Sequence, residues 1–140
     1  MQHIEYIKDK EQVLAIVISH TFNEKGIHFF TPDEFSQQLA YMNHPKGKII
    51  DPHYHNPVER NVVYTQEVLI IKKGKLKVDF YDDQQIHLQS IVIETGDIIL
   101  LAAGGHGFEV IEDVEMVEVK QGPYKGDADK TRFIAKNNKT

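Results

Sequence analysis

Short runs of β-branched and other apolar residues recur along the chain, broken by Gly, Pro and Asp. This rhythm predicts an all-β protein. Residues 13–18, VLAIVI, predict a first strand because β-branched residues dominate them. Residues 49–55 predict another. Residues 68–72 and 75–81 flank Gly74 and predict a tight hairpin. In its second arm Leu76, Val78 and Phe80 alternate with Lys75, Lys77 and Asp79, so apolar groups take one face and charges the other. A turn at Asp82-Asp83 leads to a strand over 87–94, and a turn at Thr95-Gly96-Asp97 to one over 98–102. Two further strands, 108–111 and 114–120, flank a turn at Glu112-Asp113. Val114 and Met116 share one parity and Val117 and Val119 the other, which predicts a bulge. One helix start stands out. Thr31-Pro32-Asp33-Glu34 offers a cap, a proline at the first helical position and a Glu three residues after the cap. With Phe35 and Leu39 one turn apart, it predicts a short helix over 32–40 packed on the sheet. Beyond Gly122-Pro123 the composition turns polar, as in a tail running over the surface.

The 140 residues fit a single domain. Its barrel core is expected at 47–120, with the N-terminal strand and helix in 1–46 and the tail in 121–140. With 16 Lys+Arg against 21 Asp+Glu, the chain has no cationic surplus for a phosphate backbone, which argues against nucleic acid as partner. The absence of Cys removes disulfides, Cys-bound zinc and thiol catalysis. No apolar run approaches the ~20 residues of a bilayer span, and the N-terminus lacks the pattern of a signal peptide. These features lead us to expect a cytoplasmic protein with a small-molecule ligand and no membrane partner.

Candidate chemistry centres on histidine. His53 and His55, one residue apart on a predicted strand, share a face, and two neighbouring imidazoles are half a metal site. Glu67 shares parity with Leu69 and Ile71, so its carboxylate points where apolar residues point and needs a partner. Downstream, Gly96-Asp97 opens an apolar strand that ends in Ala102-Ala103-Gly104-Gly105-His106-Gly107-Phe108. His106 shares parity with Phe108, and the glycines around it permit a close backbone approach. The remaining histidines (3, 20, 28, 44 and 87) have no partner at ligand spacing and read as surface or edge residues.

These residues resemble the two motifs of the cupins. His53-Tyr54-His55, then Glu67 and Gly74, match the first motif, and Gly96-Asp97 with His106-Gly107-Phe108 match the second. The likeness covers roughly residues 47–120. It implies a double-stranded β-helix, or jelly-roll barrel, and a divalent metal ion held by His53, His55, Glu67 and His106. The chain departs from the pattern at two points. Residues 56–66 stretch the usually short gap between His55 and the Glu, and Ala102 replaces the proline of the second turn. The longer gap leaves Glu59 as a rival ligand, but Glu67 is preferred because it begins a strand. The tail, Glu118-Val119-Lys120-Gln121-Gly122-Pro123-Tyr124 followed by Asp129-Lys130, resembles small single-domain cupin-fold metalloproteins of bacterial surface-polysaccharide gene clusters.

Three imidazoles and one carboxylate suit iron, manganese, nickel, cobalt or zinc, and leave open positions for a substrate oxygen or for dioxygen. The chemistry then branches into isomerisation, epimerisation or hydrolysis on one side and dioxygenation on the other. Arg60 and Tyr64, on the inserted loop, are the candidate catalytic residues: Arg60 as an anion clamp, Tyr64 as a proton donor or acceptor. The favoured substrate is a small polar molecule such as a sugar or sugar nucleotide. Two alternatives stay open. One is a cupin that binds metal or ligand without turnover; the other is a metal-free sugar-nucleotide isomerase or epimerase with His53 or His55 as base and a Tyr as acid. A homodimer is the expected assembly. Strand 13–18 pairs either across the partner or with its own barrel.

Overall fold

The computed structural model describes residues 3–136. Its first hairpin joins β1 (Ile4–Asp9) to β2 (Gln12–Ile18) through Lys10-Glu11, with Lys10 at φ 55°. β2 is an interior strand, paired on its other side with β7 (Ile98–Leu101). Its own barrel therefore takes the apolar run of residues 13–18. Leu14 through Ile18 are all buried because both faces are covered. Leu14, Ala15 and Val17 join Leu69, Ile71 and Phe80 in the inner core, while Ile16 and Ile18 pack under Phe22, Phe30, Phe35 and Leu39. The hairpin of β3 (Gly26–Phe29) and β4 (Ala40–Asn43) forms a separate two-stranded sheet.

The main sheet is built on β5 (Glu67–Tyr81), which pairs along one side with β8 (Gly105–Lys120). Its other side takes β7 and then β6 (His87–Glu94). The six strands curl into an open half-barrel, with Leu76, Val78, Phe80 and Ile93 buried inside. The fold is thus all-β and broadly jelly-roll-like, but the sheet does not close into a double-stranded β-helix. Among the described residues no helix is long and apolar enough to cross a membrane.

Two predicted hairpins are instead continuous strands. Residues 67–81 do not reverse at Gly74, because both halves pair antiparallel with the same β8, from Glu67↔Lys120 to Tyr81↔Gly105. Gly74 is a bend at φ 95°, with register shifts around it. It changes which parity faces inward, from 67, 69 and 71 to 76, 78 and 80, as an extra residue in a strand must. The predicted turn at Glu112-Asp113 lies opposite the same bend and does not reverse the chain either.

The predicted helix over 32–40 does not form. Among the described residues the only helical element is a 3-10 turn, Gly126–Asp129. Thr31 does not cap a helix; its Oγ1 accepts the distant Leu39 N–H at 3.2 Å and donates to Gln38 Oε1 at 2.8 Å. The Gln38 amide donates to the carbonyls of Pro32 and Phe35, both at 2.9 Å, which a helix would have given to backbone amides. An isolated helix this short has little cooperative stability to compete with such bonds. Phe35 and Leu39 still reach the sheet as predicted.

Tyr6 ties the first hairpin to the outer layer, its hydroxyl donating to Phe30 O at 2.7 Å. Burial raises its pKa, so the bond's contribution is complete below about pH 10 and is lost as the pH rises through the raised value. Tyr6→Phe is expected to cost about 1 kcal/mol in urea denaturation at pH 7, and the difference from wild type should shrink in strong alkali.

Candidate functional site

Directly paired residues of an antiparallel ladder share a face. Glu67 therefore sits with Lys120, Leu69 with Glu118, and Phe80 with His106. Leu69 and Ile71 are buried on the side to which Glu67 points, so the carboxylate faces the half-barrel as its parity predicts. The curl brings the far ends of the β5–β8 ladder together, and His106 Nε2 lies 3.1 Å from Glu67 Oε1. The Glu67 side chain is 13% exposed and that of His106 30%. Gly104 helps to seat His106. It has φ 72°, and a Cβ there would lie 2.9 Å from Tyr81 O and 3.0 Å from Leu14 Cδ2.

The bond from His106 is the main reason the Glu67 carboxyl is held down to about 2, against the opposing effect of its burial. Glu118 is pushed the other way, first by hydrogen bonding to Glu67 and then by burial. The two carboxyls are thus differentiated: Glu67 is the anion and Glu118 the more readily protonated partner.

The pair borders a cavity of 720 Å³ whose walls include Tyr64, Tyr81, Lys120, Lys130, Arg132 and Phe133. The tail supplies one wall. Phe133 meets Tyr81 edge-on at 5.3 Å, and Lys136 bridges to Ile86. Thr65 Oγ1 donates to Asp129 beside the same wall. Sequence reasoning treated residues 124–136 as surface and missed Lys130 and Arg132, for which no spacing gives a signal. Glu118 and Lys120 were also missed. Their shared parity was visible, but only the register against Glu67 reveals that they line the site.

His53 and His55 stand elsewhere. Their predicted strand, 49–55, does not form; these residues are exposed and lie outside any strand. An extended segment becomes a strand only against a partner edge, and none of the described strands pairs with this one. The imidazoles are still neighbours, with ring centroids 5.4 Å apart, and His53 Nδ1 is 2.8 Å from Asp51 O. The structure therefore joins Glu67 to His106 and His53 to His55, but not the two pairs to each other. Among the described residues no group of three or more His, Cys, Asp or Glu is placed to hold a metal ion. Glu59 is exposed on the same segment. Tyr64, 80% exposed, borders the cavity and an adjoining 900 Å³ hollow, where Arg60 stands with Asp33 and Glu34.

His20 is more than an edge residue. Its Nδ1 lies 2.9 Å from Oδ1 of Asp97, which is 1% exposed. No family model, curated protein or solved structure matches the chain. Its all-β, curled half-barrel is broadly consistent with a cupin-like barrel.

Proposed function

We propose that the chain is a cupin-like metal-binding protein that takes a small polar molecule, such as a sugar or sugar nucleotide, into the 720 Å³ cavity. The observation that carries this function is the Glu67–His106 contact, a carboxylate and an imidazole 3.1 Å apart beside that cavity. The donor chemistry fits a divalent ion. Glu67 is already ionised, as a ligand must be, and the 30% exposure of His106 leaves its ring accessible. His53 and His55 would complete the set, giving three nitrogens and one oxygen. Bound there, the ion would supply Lewis acidity toward a substrate oxygen. Lys120, Lys130 and Arg132 line the same cavity alongside the carboxyls of Glu67, Glu118 and Asp129, and offer donors to a phosphate or carboxylate group. In this reading Tyr64, which lines the cavity, donates a proton to the substrate, and Arg60, which lines the adjoining hollow, meets its charged group.

Zinc titration of untagged, chelator-stripped protein by calorimetry tests the proposal. One ion per chain is expected. Losing an outer-shell partner alone costs a metal site 10–100-fold, so Glu67→Ala and His106→Ala should each weaken binding by more than ~100-fold. Unchanged affinity in both Glu67→Ala and Glu59→Ala, or no stoichiometric uptake by the wild type, would overturn it. Loss of zinc in Glu59→Ala instead would move the carboxylate ligand to the rival position.

A further inference from the structure

From 44 to 66 the chain forms neither helix nor strand, and every residue from 45 to 64 is exposed. Structureless stretches of this length are uncommon inside a compact domain unless they serve a function. This arm lacks the composition of a solvated loop, for Ile49 is 77% exposed, Tyr54 86% and Val63 77%. Its root is fixed to its own body. Gln66 Oε1 accepts Gln37 N–H at 3.0 Å, and Thr65 donates to Asp129.

The half-barrel shows a complementary vacancy. β5 takes one edge of β8 along its whole length, and among the described residues no strand pairs with the other edge. Beside that edge, Phe108 and Val110 share the inward parity of His106 yet remain 41% and 54% exposed. Long bare edges are normally covered or blunted. β8 also carries Asp113 and Glu115, besides Glu109 and Glu112 that pair with Lys77 and Lys75 of β5, while the arm's leading end carries Lys46 and Lys48. Each body thus has two metal-type ligands and a bare edge, and each arm has two imidazoles and unburied apolar side chains.

We infer that two copies exchange arms. The arm of one copy lies along the free β8 edge of the other, and its His53 and His55 complete the Glu67–His106 site there. The inference rests on the metal-binding function proposed above and adds that each site is shared between two chains. A second copy is the fitting occupant because residues 45–59, ahead of the stretch that borders its own hollow, are exposed throughout and hydrogen-bond among the described residues only within their own segment. Exchange between two copies also covers both edges at once and closes a two-fold dimer.

Two experiments separate this arrangement from an arm that closes on its own chain. The first needs no metal. A photoreactive benzoyl-phenylalanine replaces Tyr54 in a mixture of isotopically light and heavy chains kept in chelator. Illumination should give covalent dimers whose cross-linked peptides join an arm of one label to residues 105–120 of the other. Cross-links within single chains only would overturn the exchange.

In the second, a His53→Ala/His55→Ala chain is co-expressed with a Glu67→Ala/His106→Ala chain, and zinc is measured after dialysis. Neither variant alone should hold zinc. The mixture should regain roughly a quarter of the wild-type content per chain, since half the dimers are mixed and each has one intact site. Zinc uptake by the wild type with no recovery in the mixture would overturn the exchange and leave the metal site standing. Inter-chain cross-links without zinc uptake by the wild type would instead overturn the metal site.

Discussion

Gly74→Ala is expected to lower stability by about 4 kcal/mol or more, a large share of what a domain of this size possesses. Two effects combine. The residue sits at φ 95°, where a side chain costs roughly 1–2 kcal/mol. A Cβ there would also stand 2.0 Å from Asp113 O and 2.9 Å from Val114 Cα, and both are backbone atoms of the facing strand. The only escape is to part β5 from β8 at the bend, which would disturb the curl that brings Glu67 to His106. Gly26→Ala is the matched control. Gly26 has φ 93° with nothing within 4 Å of the added carbon, so it should show the torsional cost alone. Urea denaturation of both variants checks the difference. Equal losses in the two would mean that β5 and β8 are not pressed together at the bend.

Asp97→Ala is expected to cost about 3–5 kcal/mol, as removal of one partner from a buried, charged hydrogen-bond cluster does. The side chain is 1% exposed and serves three groups. Oδ1 accepts His20 N–H at 2.8 Å and lies 2.9 Å from His20 Nδ1, while Oδ2 accepts Glu94 N–H at 2.8 Å. These bonds pin the chain after β2 to the turn between β6 and β7. Truncation strands two amides that the carboxylate had satisfied. Asp97→Asn keeps one acceptor oxygen and should cost clearly less than Asp97→Ala. A thermal melt of both variants checks the order; an alanine variant as stable as wild type would contradict the pinning role.

Much of this architecture was legible because burial acts directly on side-chain pattern. The run 13–18 announced a strand, and the alternation of Leu76, Val78 and Phe80 announced which face is inside. Asp82 forms its turn through Oδ1, which accepts the amides of Gln84 and Ile86. The parity of Glu67 pointed its carboxylate to the side where Leu69 and Ile71 are buried, but its contact with His106 comes from the curl, which no parity shows. What failed was direction at glycine. A Gly between two apolar runs allows a reversal or a bend, and only pairing of both halves with one β8 decides for the bend. The helix over 32–40 failed because local side-chain bonds from Thr31 and Gln38 outcompeted it. The strand over 49–55 failed for a different reason: its residue types suit a strand, but strands need a neighbour, and among the described residues none pairs with this segment. The charged tail residues of the cavity were illegible because Asp129, Lys130 and Arg132 line it where Phe133 docks on Tyr81, a contact with no periodic trace.

The most direct measurement is anomalous diffraction at the zinc edge from crystals of untagged protein grown with zinc. One peak per chain is expected, in coordination contact with both the Glu67 carboxylate and the His106 imidazole, with His53 and His55 filling the remaining protein positions. A zinc ion bound away from this cavity, with Glu67 and His106 still bonded directly to each other, would contradict the account.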